Sequence, residues 1–123
     1  MLFSSQFGIK GNMMEIDTKK EKNATVVSVK GRLDAVSSPV FEKELAGLMI
    51  EGGKDFVIDF AQLDYISSAG LRVILATAKN LKKREGRLFL CSLQEMVREV
   101  FEVSGFTTII PIHESVESAL DQV

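Results

Sequence analysis

The segment FVIDFAQLDYISSAGLRVILATAKNL, Phe56 to Leu81, decides the fold. It opens on Phe56-Val57-Ile58, a continuous apolar run of the kind found in strands covered on both faces. After Asp59-Phe60 a short connection, Ala61 to Ile66, is expected to lead to the pair Ser67-Ser68. Beyond the serines, Leu71, Ile74, Leu75, Ala78 and Leu81 recur at the period of a helix with one apolar stripe. Lys82, Lys83 and Arg84 complement the carbonyl end of that helix, and Gly86 ends it. A buried strand handed to an amphipathic helix is the unit from which α/β domains are built.

The flanks repeat this unit. Upstream, Ser38-Pro39 predicts a helix start, with Ser38 as N-cap and Pro39 at the first helical position. Phe41, Leu45, Leu48 and Met49 then follow helical spacing until Gly52-Gly53. Before it, Met14 and Ile16 alternate with polar residues, Lys19 to Asn23 forms a charged turn, and Val26, Val27 and Val29 follow. These two strands predict an antiparallel hairpin, closed by Gly31-Arg32-Leu33-Asp34 as a loop. Downstream, Leu88 to Cys91 is a second buried strand. Ser92 and Glu95 form an expected capping box for a helix with Met96, Val97, Val100 and Phe101 on its inner face. Gly105 stops that helix, Thr108 to Ile112 is a short strand, and Val116, Ala119, Leu120 and Val123 stripe a last helix. The order β-β-α-β-α-β-α-β-α predicts one α/β domain over residues 14–123. Its mixed sheet has an antiparallel N-terminal hairpin, then parallel strands, packed with about four helices. Residues 1–13, without a clear period, are expected to be a disordered leader.

Composition narrows the function. Fifteen basic against seventeen acidic side chains, a net charge of −2, give no nucleic-acid footprint. No apolar run approaches the ~20 residues of a membrane span. The single cysteine, Cys91, excludes an internal disulfide and fits a reducing, cytoplasmic setting.

Ser67-Ser68-Ala69-Gly70 is the principal candidate site. A hydroxyl there can cap the helix, bind an anion or accept a phosphoryl group, because helix N-termini favour negative charge. One serine suffices for the cap. The first turn Ala69-Gly70 is unusually bare, and Gly70 is expected to act by absence, admitting a partner's surface. On that reading Gly70→Arg should fold and lose binding. Asp59 at the end of a buried strand invites comparison with a receiver domain, but Met14 to Asp17 lacks the acidic pair that such a domain needs. Asp59 and Asp64 are expected to bond backbone N–H groups of their own loop. Cys91 reads as a small core residue. His113, the only histidine, has no second ligand or triad partner nearby. No phosphate-binding glycine loop occurs, so no cofactor, metal or catalytic residue is expected.

With these residues placed, Asp59-Phe60-Ala61-Gln62-Leu63-Asp64-Tyr65-Ile66-Ser67-Ser68-Ala69-Gly70-Leu71 resembles the signature of the STAS family, and more narrowly of bacterial anti-sigma factor antagonists. Gly31-Arg32-Leu33-Asp34 resembles the family's Gly-x-Leu-Asp loop, and Val103-Ser104-Gly105-Phe106 its late Ser-Gly turn. The resemblance implies a non-enzymatic partner switch. The unphosphorylated protein binds an anti-sigma factor that is also a serine kinase, thereby freeing a sigma factor, and a serine phosphatase reverses the phosphorylation. The family's phosphoserine stands two residues before the glycine, here Ser68. Many members carry Asp where this chain has Ser67, which leaves two adjacent hydroxyls as candidates. Asp34, Ser67, Ala69, Gly70 and Leu71 are the implied partner contacts. The alternative carried by the same resemblance is a constitutive assembly subunit of a stressosome or a lipid-transport complex.

Overall fold

Alternation along the strands divides the sheet into two unlike faces, and that division places the helices. The computed structural model describes residues 5–9 and 14–123. Its strands are β1 (Ser5–Ile9), β2 (Met14–Glu21), β3 (Ala24–Leu33), β4 (Asp55–Ile66), β5 (Arg87–Cys91) and β6 (Ile112–His113). Its helices are α1 (Ser38–Ile50), α2 (Ser68–Lys83), α3 (Glu95–Val103) and α4 (Val116–Leu120). The strands lie side by side in sequence order. β1, β2 and β3 are antiparallel neighbours, whereas β3 to β6 run parallel. The mixed sheet, its hairpin and its four helices match the architecture expected above. β1 falls within the stretch expected as a leader; the rest of that stretch lies outside the described residues.

On one face Ile16, Val27, Ile58 and Phe60 pack against Phe41 of α1, Ile74 of α2 and Phe101 of α3. On the other, Val26, Val57, Phe89 and Cys91 lie under Ala119 and Leu120 of α4. Each large apolar side chain buried this way contributes roughly 1.5–3 kcal/mol. The three-helix face therefore carries most of the stabilisation, α2 included.

Several local expectations are corrected. Ala61 to Ile66 is no connection: β4 continues through it, paired with a β3 that includes Gly31 to Leu33. Register shifts between Ser28 and Lys30 and between Gly31 and Arg32 break the two-residue alternation, so the strand signal is lost in the sequence. Ser92 does not cap α3, since it sits at φ 62° while Gln94 is the N-cap and makes no side-chain cap bond. Met96 is 73% exposed, and Val97 and Phe101 form the buried face of α3 instead. The expected strand Thr108 to Ile112 is largely irregular: a 3-10 turn at Phe106–Thr108 ends at its first residue, Ile109 and Ile110 are turn and bend, and only Ile112–His113 form β6. Among the described residues no helix is long and apolar enough to cross a membrane.

Candidate functional site

Leu33 and Ile66, the last residues of β3 and β4, are direct register partners. The chain therefore leaves two adjacent parallel strands at the same carboxyl edge, where open α/β sheets place their sites. The Ser67 N–H donates to the Leu33 carbonyl at 2.8 Å, which pins the serine junction to the Asp34 turn.

The two serines have different tasks. Ser67 is the N-cap of α2, extended at φ −97° and ψ 176°, and its Oγ accepts from the Gly70 N–H at 3.4 Å. Ser68 is the first helical residue and is exposed, and its hydroxyl makes no hydrogen bond among the described residues. The first turn of α2 carries no acidic residue, so the positive end of the helix dipole is uncompensated beside Ser68. Ala69 and Leu71 are half-buried, Leu71 against the main core.

Gly70 requires a correction. It is buried, and a Cβ built on it would lie 2.7 Å from Ile66 Cγ1 and 3.1 Å from Leu33 Cβ. The missing side chain lets α2 approach the strand ends of its own domain. It does not open a path for a partner.

Asp34 is also employed internally. Its Oδ1 accepts from the Val36 and Ser37 N–H groups, each at 3.0 Å. Ser37, not Ser38, is the N-cap of α1, and Pro39 is its second helical residue. The Ser37 hydroxyl makes no cap bond because it donates to the Arg32 carbonyl at 2.7 Å and accepts from the Asp34 N–H at 3.0 Å. The Ser37 amide, the Ser37 hydroxyl, the Val36 amide and the Arg32 guanidinium hold the Asp34 carboxyl below its ordinary value, against a smaller opposing effect of burial. A depressed carboxyl stabilises the fold above its unfolded value, and that contribution disappears as pH falls through the folded one. Asp34→Ala is expected to cost about 1 kcal/mol, as removal of a capping residue does. The loss should be full near neutral pH and absent in strong acid; equal urea midpoints for both proteins at neutral pH would contradict this.

Other residues complete the rim without an obvious sequence signal. The Arg32 guanidinium lies 4.3 Å from the centroid of the Tyr65 ring, and Tyr65 is 40% exposed. The two are cross-strand partners, a relation that only the bulged register creates. Val36 is 66% exposed beside the Asp34 turn. Away from this edge, Asp59 accepts from the Ala61 N–H at 3.0 Å, as expected, whereas Asp64 makes no side-chain bond among the described residues. Cys91 is buried, and burial chiefly pushes its thiol up to about 11. His113 tilts against Phe89 at a centroid distance of 5.6 Å. No group of three potential metal ligands occurs among the described residues.

Comparison with known proteins gives the family and the fold. The family model described as STAS domain matches residues 15–119. BtrV of Bordetella bronchiseptica, a candidate anti-sigma factor antagonist, is 42% identical over 106 residues, covering 86% of this chain and 91% of its own. The anti-sigma-B factor antagonist of Bacillus subtilis is 34% identical over 99 residues, covering 80% and 90%. The crystal structure of an anti-sigma factor antagonist from Mycobacterium paratuberculosis superposes with a TM-score of 0.84 at 23% identity, over 92% and 96% of the two chains.

Proposed function

The chain belongs to the STAS domain family, and from that premise we propose that it is an anti-sigma factor antagonist switched by phosphorylation of Ser68. The names of its relatives support the first half of this reading. The observation that carries the second half is the division of labour at the α2 N-terminus. Ser67 is committed to the cap, while Ser68 presents an exposed hydroxyl at an uncompensated helix end. A phosphoryl group adds about −1.5 to −2 charges, which the helix end accommodates in the free domain. The same group on Ser67 would have to displace the cap.

In this reading the unphosphorylated face, formed by Ser68, Ala69, Leu71 and the Ser67 junction, meets an anti-sigma factor with serine kinase activity. Asp34 shapes the adjoining turn and Gly70 supports the face from within. A serine phosphatase in the cytoplasm resets it. The protein acts by binding alone and needs no catalytic group or cofactor.

The test joins affinity capture from the native cells with phosphosite mapping. Capture on the unphosphorylated protein is expected to retain a serine-kinase anti-sigma factor, and that kinase is expected to modify Ser68 and not Ser67. Quantitative phosphate on Ser67, or a captured transporter or scaffold in place of the kinase, would overturn the reading.

A further inference from the structure

Beside the serine junction, between α1 and α2, runs a groove of about 610 Å³. Ala69 lies on its rim, so it is continuous with the face described above. Ser38 lines it, 1% exposed, with a hydroxyl oxygen that has no hydrogen-bond partner. An unpartnered buried hydroxyl carries a penalty that an incoming acceptor can remove. Arg72 and Lys79 line the α2 side, both exposed and neither ion-paired among the described residues. Glu42 is the only acid in the lining. Neither α1 nor α2, helices of 13 and 16 residues, has an acidic residue in its first turn, and both begin near this groove. Local charge is thus positive on a chain whose net charge is −2.

We propose that this groove receives an acidic side chain of the anti-sigma factor, its carboxylate between Arg72 and Lys79 and within reach of the Ser38 hydroxyl. The inference rests on the function proposed above and specifies the chemistry of the partner. It also explains the switch. Arg72 follows Ser68 by four residues, so the two share one helix face. Phosphate on Ser68 takes Arg72 as its own counter-ion and turns a like charge toward the docking carboxylate.

The experiment measures affinity of the purified anti-sigma factor for unphosphorylated variants by calorimetry. Arg72→Glu combined with Lys79→Glu is expected to weaken binding about 100-fold, the scale of a buried charge pair broken and reversed. Its salt dependence should flatten. Arg72→Gln alone should lose about tenfold. Exchanging the partner's contacting Asp or Glu for Arg should restore binding to the reversed variant. Lys22→Glu, in the turn before β3 and beside Asp121, lies at the opposite end of that strand from the serine junction and should stay within about threefold of the wild type, since its charge is beyond effective range. Wild-type affinity in the double variant, or an equal loss in Lys22→Glu, would overturn the groove while leaving the proposed function intact. A wild-type chain that bound no anti-sigma factor would overturn both.

Discussion

Gly70→Arg is expected to leave no cooperatively folded domain, which is a larger effect than any loss of binding. The Cβ would enter the contact between α2 and the strand ends, 2.7 Å from Ile66 Cγ1, 3.1 Å from Leu33 Cβ and 3.2 Å from the Leu33 carbonyl oxygen. Ile66 Cγ1 is bonded to the branch carbon of a buried side chain stiff at χ1, and the Leu33 atoms belong to a strand end paired with Ile66, so neither neighbour gives way freely. Overpacking of this kind costs roughly 1–3 kcal/mol for the first carbon. Alanine offsets about 1 kcal/mol of that through its helix propensity. Gly70→Ala should therefore fold with a modestly lower urea midpoint. Arginine gains no such compensation, because its remaining atoms and charge start from a buried position, and burying unpaired polar groups costs several kcal/mol more. Against a total stability of about 5–15 kcal/mol, the sum leaves little or no native population. A cooperative transition at the wild-type midpoint would show that the glycine faces outward after all.

Stoichiometric phosphorylation of Ser68 is expected to weaken anti-sigma factor binding about a thousandfold while barely changing the domain's own melting. In the free protein the added charge meets an uncompensated helix end, worth roughly 0.3–1 kcal/mol in its favour. In the proposed complex one unit of that charge would lie near the docking carboxylate. At ~4 Å and an effective dielectric of ~20 the repulsion is ~4 kcal/mol, close to three decades of affinity. Ser68→Asp carries less charge on a shorter arm and should lose only part of this. Ser68→Ala should bind as the unmodified protein does. Calorimetry on phosphorylated and unphosphorylated protein gives the ratio directly. Equal affinities would remove the electrostatic basis of the switch, and a melting point lowered by many degrees would replace it with local unfolding.

The site was more legible in the sequence than the surface that surrounds it. Ser67 and Ser68 stood out because a cap needs one hydroxyl and two were present; which one caps could be read only from the Ser67 to Gly70 hydrogen bond. The α2 stripe is carried by long-period chemistry and survives packing, although Val73 and Thr77 join its buried face. Ala61 to Ile66 misled because the bulges shift Leu63 and Ile66 to a spacing of three, which resembles no strand. Ser37 and Ser38 are indistinguishable in sequence for a different reason. Both precede a proline, and only the Asp34 turn, closed by contacts within Arg32 to Ser37, decides between them. At Gly70 a bare helix turn looks identical in sequence whether its neighbour is a foreign surface or the domain itself. Arg32 with Tyr65, and Ser38 with Arg72 and Lys79, are juxtapositions across elements, which no local pattern encodes.

The lone thiol has a practical and a biological corollary. Buried, with its thiol raised to about 11, Cys91 holds almost no thiolate at neutral pH. Peroxide, nitrosating agents and maleimides attack a thiol through that anion, so Cys91 is insulated from chemistry that would rewrite a sensor built on an exposed thiol. On the function proposed above, phosphorylation and not thiol oxidation would set the domain's state. A cysteine introduced at an outward position becomes a unique attachment point, and a fluorophore placed there would report docking in real time without a cysteine-free background.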